Sequence, residues 1–227
     1  MGLHDKSFPG ESEAYRSARD ELLQAEAELR EQIERVAQKR RELPLGGRVE
    51  EDYAFETRTS TGGESTVRLS ELFLPGKDTL LVYNFMYGPA MEKPCPMCTA
   101  IIDGLDVNHR HVSQRANLVV VARSPIARIL DFARSRGWSS LSFLSSAGNS
   151  FNADYFGEDK KGGQWPMLNV FVRKDGDVHH SWGSELLFVP RPNSDMRHVD
   201  MAWPLWNLLD LTPEGRGRDF YPSLSYE

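Results

Sequence analysis

Residues 79–98 read TLLVYNFMYGPAMEKPCPMC. Thr79 to Met86 is a largely apolar run of strand length, the pattern of a central strand covered on both faces. A loop containing Gly88, Pro89 and Pro94 follows. Cys95-Pro96-Met97-Cys98 then opens a helix expected to run to about Gln114, with Pro96 suited to the first helical position because its missing N–H costs nothing there. These are the only two cysteines in the chain. A thiol at a helix N-terminus meets unpaired backbone N–H groups and the positive end of the helix dipole, and both favour the nucleophilic thiolate. A second thiol three residues on lies one turn along the same face, where it can attack a mixed disulfide formed on the first. Cys95 is therefore the expected nucleophile and Cys98 the resolving thiol. Pro96 and Met97, between them, are placed to touch a substrate.

Beyond this stretch the pattern alternates. Asn117 to Ala122 (NLVVVA) reads as a second buried strand, and Ser124-Pro125 opens a helix ending near Gly137. Leu141 to Leu144 is a short third strand. Gly148 to Gly163 is loop-rich, with one helical turn expected around Asp154 to Phe156. Trp165-Pro166 introduces a fourth strand, Met167 to Val172. Lys174-Asp175-Gly176-Asp177 is a hairpin turn signal that returns Val178 to Trp182 as a fifth strand. Asp195 to Leu211 is expected to be helical in part. Strands alternating with helices, then a β-hairpin, imply an α/β fold: a central mixed sheet flanked by helices on both faces.

Upstream the texture differs. Glu11 to Glu42 is rich in Glu, Arg, Ala, Gln and Leu and lacks Gly and Pro, which predicts one long helix. Leu22, Leu29 and Val36 form a narrow apolar stripe with Ala25 and Ile33 nearby. The stripe either docks on the chain's own domain or pairs two copies as a homodimer. Gln32 at a seam position argues against a long coiled coil. Pro44, Gly46 and Gly47 stop the helix. The expected division is an N-terminal helical extension, 1–46, and an α/β domain with a C-terminal tail, 47–227. Asp52 to Thr57 and Ser65 to Leu69 are expected as edge strands.

The composition is that of an ordinary globular chain: 227 residues, 40% hydrophobic, 26% charged. A formal net charge of -6 argues against nucleic acid or an anionic membrane as partner. No apolar run approaches the roughly 20 residues needed to span a bilayer. The first residues, Met1 to Lys6, are polar and lack the apolar core of a secretory signal, so a cytoplasmic location is expected. In a reducing compartment a close cysteine pair points to catalysis or metal rather than a structural disulfide. Zinc needs two further ligands. His109 and His111 lie two apart on a helix, and His179 and His180 alternate across a strand, so neither pair supplies both. No metal and no bound cofactor are expected, because the thiols themselves carry the electrons.

Taken together, these segments resemble the bacterial thioredoxin-like proteins predicted to be dithiol-disulfide oxidoreductases, long filed as a domain of unknown function. The resemblance covers most of the chain. It runs through Arg41-Glu42-Leu43-Pro44, Glu51-Asp52-Tyr53-Ala54-Phe55, Tyr83-Asn84-Phe85-Met86-Tyr87-Gly88-Pro89 and the cysteine motif. It continues through Asn149-Ser150-Phe151-Asn152, Val178-His179-His180 and Leu209 to Arg216. It implies a thioredoxin fold and a redox role, and names no substrate. It also implies a cis peptide bond before Pro166, which would face the cysteines and offer the backbone of Trp165 to a substrate as a strand edge. The alternative is an ordinary trans proline at a strand start.

Three departures stand out. The residues between the cysteines are Pro-Met, where thioredoxin has Gly-Pro. Asn84 is expected at the place of thioredoxin's buried Asp and cannot act as a base, so Glu92 or His180 is the candidate acid–base group. The loop from Tyr87 to Pro94 is longer. A peroxiredoxin is the nearest enzymatic rival, yet Glu92 stands where a peroxidatic site has Thr or Ser, and Arg123 is a candidate for its Arg only against the expectation of a solvated surface residue. A thioredoxin-fold binding module without turnover is the rival from another class. Trp165, Trp182, Trp203 and Trp206 are candidates for a substrate groove, with core packing as the default. The expected partner is a disulfide or thiol, protein or small molecule.

Overall fold

The computed structural model describes residues 3–59, 61–190, 197–215 and 220–225. The chain divides into two compact units, one ending at Pro44 and the other beginning at Leu45. The first is built around α1 (Glu13–Arg41), whose N-cap Ser12 accepts a hydrogen bond from the Tyr15 N–H. Lys39, Arg40 and Arg41 in its last turn complement the helix dipole.

The second unit carries the sheet. A hairpin of β1 (Ala54–Arg58) and β2 (Glu64–Arg68) comes first. It is followed by β3 (Thr79–Asn84), α2 (Pro96–Val112), β4 (Asn117–Ala122), α3 (Ile126–Arg136), β5 (Ser142–Ser145) and the short α4 (Phe151–Asp154). The chain then forms β6 (Leu168–Lys174), β7 (Asp177–Gly183) and, after 3-10 turns, α5 (Leu205–Leu209). The seven strands lie in the order β2-β1-β5-β4-β3-β6-β7. β3, β4 and β5 are parallel, whereas β6 pairs antiparallel with both β3 and β7. A β-α-β unit whose first strand also pairs with a returning antiparallel hairpin is the core of the thioredoxin fold. The β6–β7 turn has positive φ at both Asp175 and Gly176, the geometry that matches the twist of the flanking strands.

Side chains alternate across β3 and divide the core in two. Tyr83 and Phe85 face a cluster with Met97, Cys98, Ile101 and Ile102 of α2 and Ile129 and Ala133 of α3. Leu80 and Val82 face the opposite cluster, with Phe55, Val121, Phe151 and Phe171. α2 and α3 thus share one face of the sheet. β3, β4 and β5 step in one direction across the sheet, and right-handed crossovers then put both connections on the same side. The other face is covered by α4 and by aromatic side chains from residues 53–73.

Smaller differences from expectation have local causes. The helical turn near residue 154 begins at Phe151, because the Asn149 side chain accepts the Phe151 N–H at 3.0 Å. Ser124 does not cap α3; its hydroxyl instead donates to the Gly88 carbonyl at 3.2 Å. Of the expected helical segment, Asp195 and Met196 lie outside the described residues, as does Arg216 from the matched tail. Arg197–Ala202 is 3-10 and α5 follows it. Among the described residues no helix is long and apolar enough to cross a membrane.

Candidate active site

Cys95 is the N-cap of α2, with extended backbone (φ -63, ψ 125). Its Sγ accepts from the Cys98 N–H at 3.5 Å, and Thr99 returns both its N–H and its hydroxyl to the Cys95 carbonyl at 3.0 Å. Cys95 is half-buried and Cys98 fully buried, and both are free thiols. The two are electrostatically opposite. The Cys98 thiol beside it, the backbone N–H groups of Cys98 and Met97, and the Tyr221 hydroxyl pull the Cys95 thiol down to about 6, against the opposing effect of burial. Burial first, and then the neighbouring Cys95, pushes Cys98 well above an ordinary thiol. One sulfur is therefore prepared as a thiolate near neutral pH and the other is kept protonated.

Two tyrosines complete the environment. The Tyr221 hydroxyl lies 3.8 Å from Cys95 Sγ, across 126 residues of sequence. Burial and the adjacent thiol raise its own ionisation far above the usual range, so it meets the sulfur as a neutral phenol. The tail that carries it is held by an edge contact between Phe220 and Trp206 (5.8 Å) and by Arg136 donating to the Leu224 carbonyl at 2.9 Å. Tyr83 is fully buried, and its hydroxyl faces the Cys98 thiol without a hydrogen bond of good geometry among the described residues.

The loop that leads to Cys95 is tied down by contacts from α3 and from its own backbone. Arg128 of α3 lies 4.4 Å over the Tyr87 ring and donates to the carbonyls of Pro89, Met91 and Glu92. The Cys95 N–H itself donates to the Met86 carbonyl at 3.1 Å. Further along α2, the buried Asp106 carboxylate accepts the N–H groups of Ser139, Ser140 and Leu141 at 3.3, 2.9 and 3.0 Å. Asp103 accepts from Trp138 at 2.7 Å and pairs with Arg136 at 2.6 Å.

A cavity of about 260 Å³ opens at the cysteines, lined among others by Met86, Met97, Ile101, Trp165, Pro166, Leu187, His198 and Tyr221. Of the residues expected to touch a substrate, Met97, Trp165 and Pro166 meet here, whereas Pro96 does not line it. The remaining tryptophans are core: Trp203 and Trp206 are buried, and Trp182 packs against the same cluster.

Several expectations are corrected. No peptide bond among the described residues is cis, so Pro166 is trans. Across it the Met167 N–H donates to the Trp165 carbonyl at 3.0 Å, a three-residue turn, while the Trp165 N–H donates to Gly157 at 2.9 Å. Both backbone groups of Trp165 are thus engaged within the chain and do not form a free strand edge. Glu92 is exposed and does not line the cavity. His180 packs on Tyr155 and Phe171, in the cluster on the opposite face of the sheet, and its Nε2 pairs with Asn169 Oδ1 at 2.9 Å. Burial lowers its basicity, which suits a structural role there. Asn84 falls on that far face too, where Asn169 donates to it at 3.3 Å. A Cβ on Gly157 would run into the Asn84 amide, so the loop can close over it only with glycine. The residue of β3 that faces the cysteines is Tyr83. Arg123 is not a solvated surface residue either; it bonds Glu158 at 2.9 Å and the carbonyls of Ser146, Ala147 and Asn149.

Sequence reasoning missed Tyr83, Tyr221, Arg128 and His198. Tyr83 was legible in the alternation of β3, which opposes it to Asn84. The other three are brought in from distant segments and carry no local motif. Among the described residues no three His, Cys, Asp or Glu side chains gather as a metal site.

A family described as "Bacterial protein of unknown function (DUF899)" matches residues 6–226. The chain belongs to that family. No curated protein matches it. Solved structures with similar chains include the pneumococcal exposed lipoprotein thioredoxin of Streptococcus pneumoniae, at 15% identity and TM-score 0.39, covering 64% of this chain and 92% of that one. A PrxQ variant from Xylella fastidiosa overlaps at 12% identity and TM-score 0.45, covering 74% and 96%. Thioredoxin peroxidase I of Plasmodium yoelii does so at 16% and 0.45, covering 81% and 99%. Overlaps of this size assign no activity to this DUF899 chain, and its fold is read from the strand order above.

Proposed function

We propose that this protein is a thiol-disulfide oxidoreductase in which Cys95 attacks a disulfide and Cys98 resolves the mixed disulfide. The observation that carries the reading is the opposed state of the two sulfurs. Cys95 is reachable, N-terminal on its helix and shifted toward the thiolate, while Cys98 is buried one turn behind and kept protonated. Attack by the Cys95 thiolate forms a Cys95 mixed disulfide and expels one substrate thiolate. Cys98 then attacks Cys95 Sγ, its proton leaves with the second substrate thiol, and the pair ends as an intramolecular disulfide. Tyr221 is positioned to hydrogen-bond the thiolate in the resting state. A peroxidase reading has less support: Glu92 is exposed, and Arg123 is occupied by Glu158 and three carbonyls.

The test is equilibration in glutathione buffers, followed by alkylation and mass spectrometry. A reversible Cys95–Cys98 disulfide that is lost in Cys95→Ser supports the reading. No disulfide at any ratio, with ligand binding retained in Cys95→Ser, would replace it with a binding module.

A further inference from the structure

Building on the redox reading, we propose that the cavity beside Cys95 selects small, uncharged disulfides rather than peptide strands or charged thiols. Three observations point there. Met86, Met97, Ile101, Trp165 and Leu187 make the wall predominantly apolar, and among the described lining residues there is no Lys, Arg, Asp or Glu. The volume of about 260 Å³ sits just below the range typical of drug-sized ligands, which suits a compact molecule. The backbone of Trp165, which would otherwise hold an extended peptide, is already paired on both its N–H and its carbonyl.

Apart from the reacting Cys95 thiolate, the polar groups at this wall are neutral. His198 is 4% exposed, burial disfavours its charged form, and its Nε2 lacks a hydrogen-bond partner among the described residues. Gln164 likewise keeps a buried, unpartnered Oε1. Such a wall offers hydrogen bonds to a hydroxyl but, beyond the thiolate that any attacking thiol presents, nothing to balance a carboxylate or ammonium, which must shed water to enter. The half-reaction balances without a further co-reactant. The reduced protein and RS–SR give the Cys95–Cys98 disulfide and two RSH, the protein being oxidised and the substrate reduced.

Near-isosteric probes test this in single turnovers of the pre-reduced full-length protein. The probes are bis(2-hydroxyethyl) disulfide (neutral), cystamine (cationic) and 3,3′-dithiodipropionate (anionic). Each rate is divided by that of the same probe with dithiothreitol, which removes its intrinsic reactivity. The neutral probe is expected to lead both charged probes by roughly tenfold or more, the penalty of placing an unpaired charge against an apolar wall. Leu187→Arg, at a half-exposed wall position, should raise the anionic probe against the neutral one. Equal normalised rates for all three probes in the wild type overturn the proposal and leave the oxidoreductase standing. Failure of every probe to oxidise the pair sinks the redox reading itself, and this inference with it.

Discussion

At the scale of single residues, the site turns on which atoms face two sulfurs. Cys95 alkylation by iodoacetamide should follow a pH profile with its midpoint near 6, while Cys98 stays unreactive in the folded protein. Tyr221→Phe removes one hydrogen bond to the thiolate, so the midpoint should move up. An unmoved midpoint would reduce Tyr221 to cavity lining. Tyr83→Phe removes a buried hydroxyl that makes no well-formed hydrogen bond among the described residues, only an approach to the Cys98 thiol, and such a group is a standing desolvation cost. Urea unfolding should therefore show stability unchanged or raised by about 1 kcal/mol. A loss of that size would mean that the hydroxyl is satisfied by Cys98. The cysteine motif was fully legible because its chemistry depends on neighbours one turn apart. His180 misled because spacing does not say which face of the sheet a side chain occupies, and a register shift between β6 and β7 breaks the alternation there; Glu92 misled because no periodicity governs the exposed loop that carries it.

At the scale of elements, α2 is the part that must not move. Its N-terminus presents Cys95, and its length is pinned by Asp103 and Asp106 to the segment that enters β5. Asp106→Ala would leave three backbone N–H groups without their acceptor in a mostly buried place. It should lower the unfolding free energy by about 2–3 kcal/mol in urea titrations, and a change within error would show that water replaces the carboxylate. The loop from Tyr87 to Pro94 is fixed by Arg128, which no pattern in its own helix announces. Strands β3, β4, β6 and β7 and the hairpin turn were readable from apolar runs and Asp-Gly chemistry. The start of α4 was not, since it depends on one Asn149 side chain bonding its own backbone.

At the scale of the whole molecule, the ionisation of Cys95 couples to folding. Its folded value lies below that of an unfolded thiol, so its contribution is fully present above the ordinary thiol range and is lost as pH falls toward 6. The stability of the reduced wild type relative to Cys95→Ser should accordingly grow between pH 6 and about 8.5, the ordinary thiol value. A flat difference across that window, measured by denaturant titration, would show that the thiolate is not favoured by the fold. The same preference stabilises the reduced form and makes the pair a readier oxidant.

The sequence by itself determined the strand and helix order, the mixed sheet and the cysteine motif at a helix N-terminus, because each is written in residues close enough to interact along the chain. Only the tertiary structure decided that Pro166 is trans with Trp165 already paired, and that Tyr83 rather than Asn84 faces Cys98. It alone placed Tyr221 and His198 at the cavity. Those outcomes depend on which segments the closing of the sheet and the packing of the tail bring together, and contacts across more than a hundred residues leave no local trace.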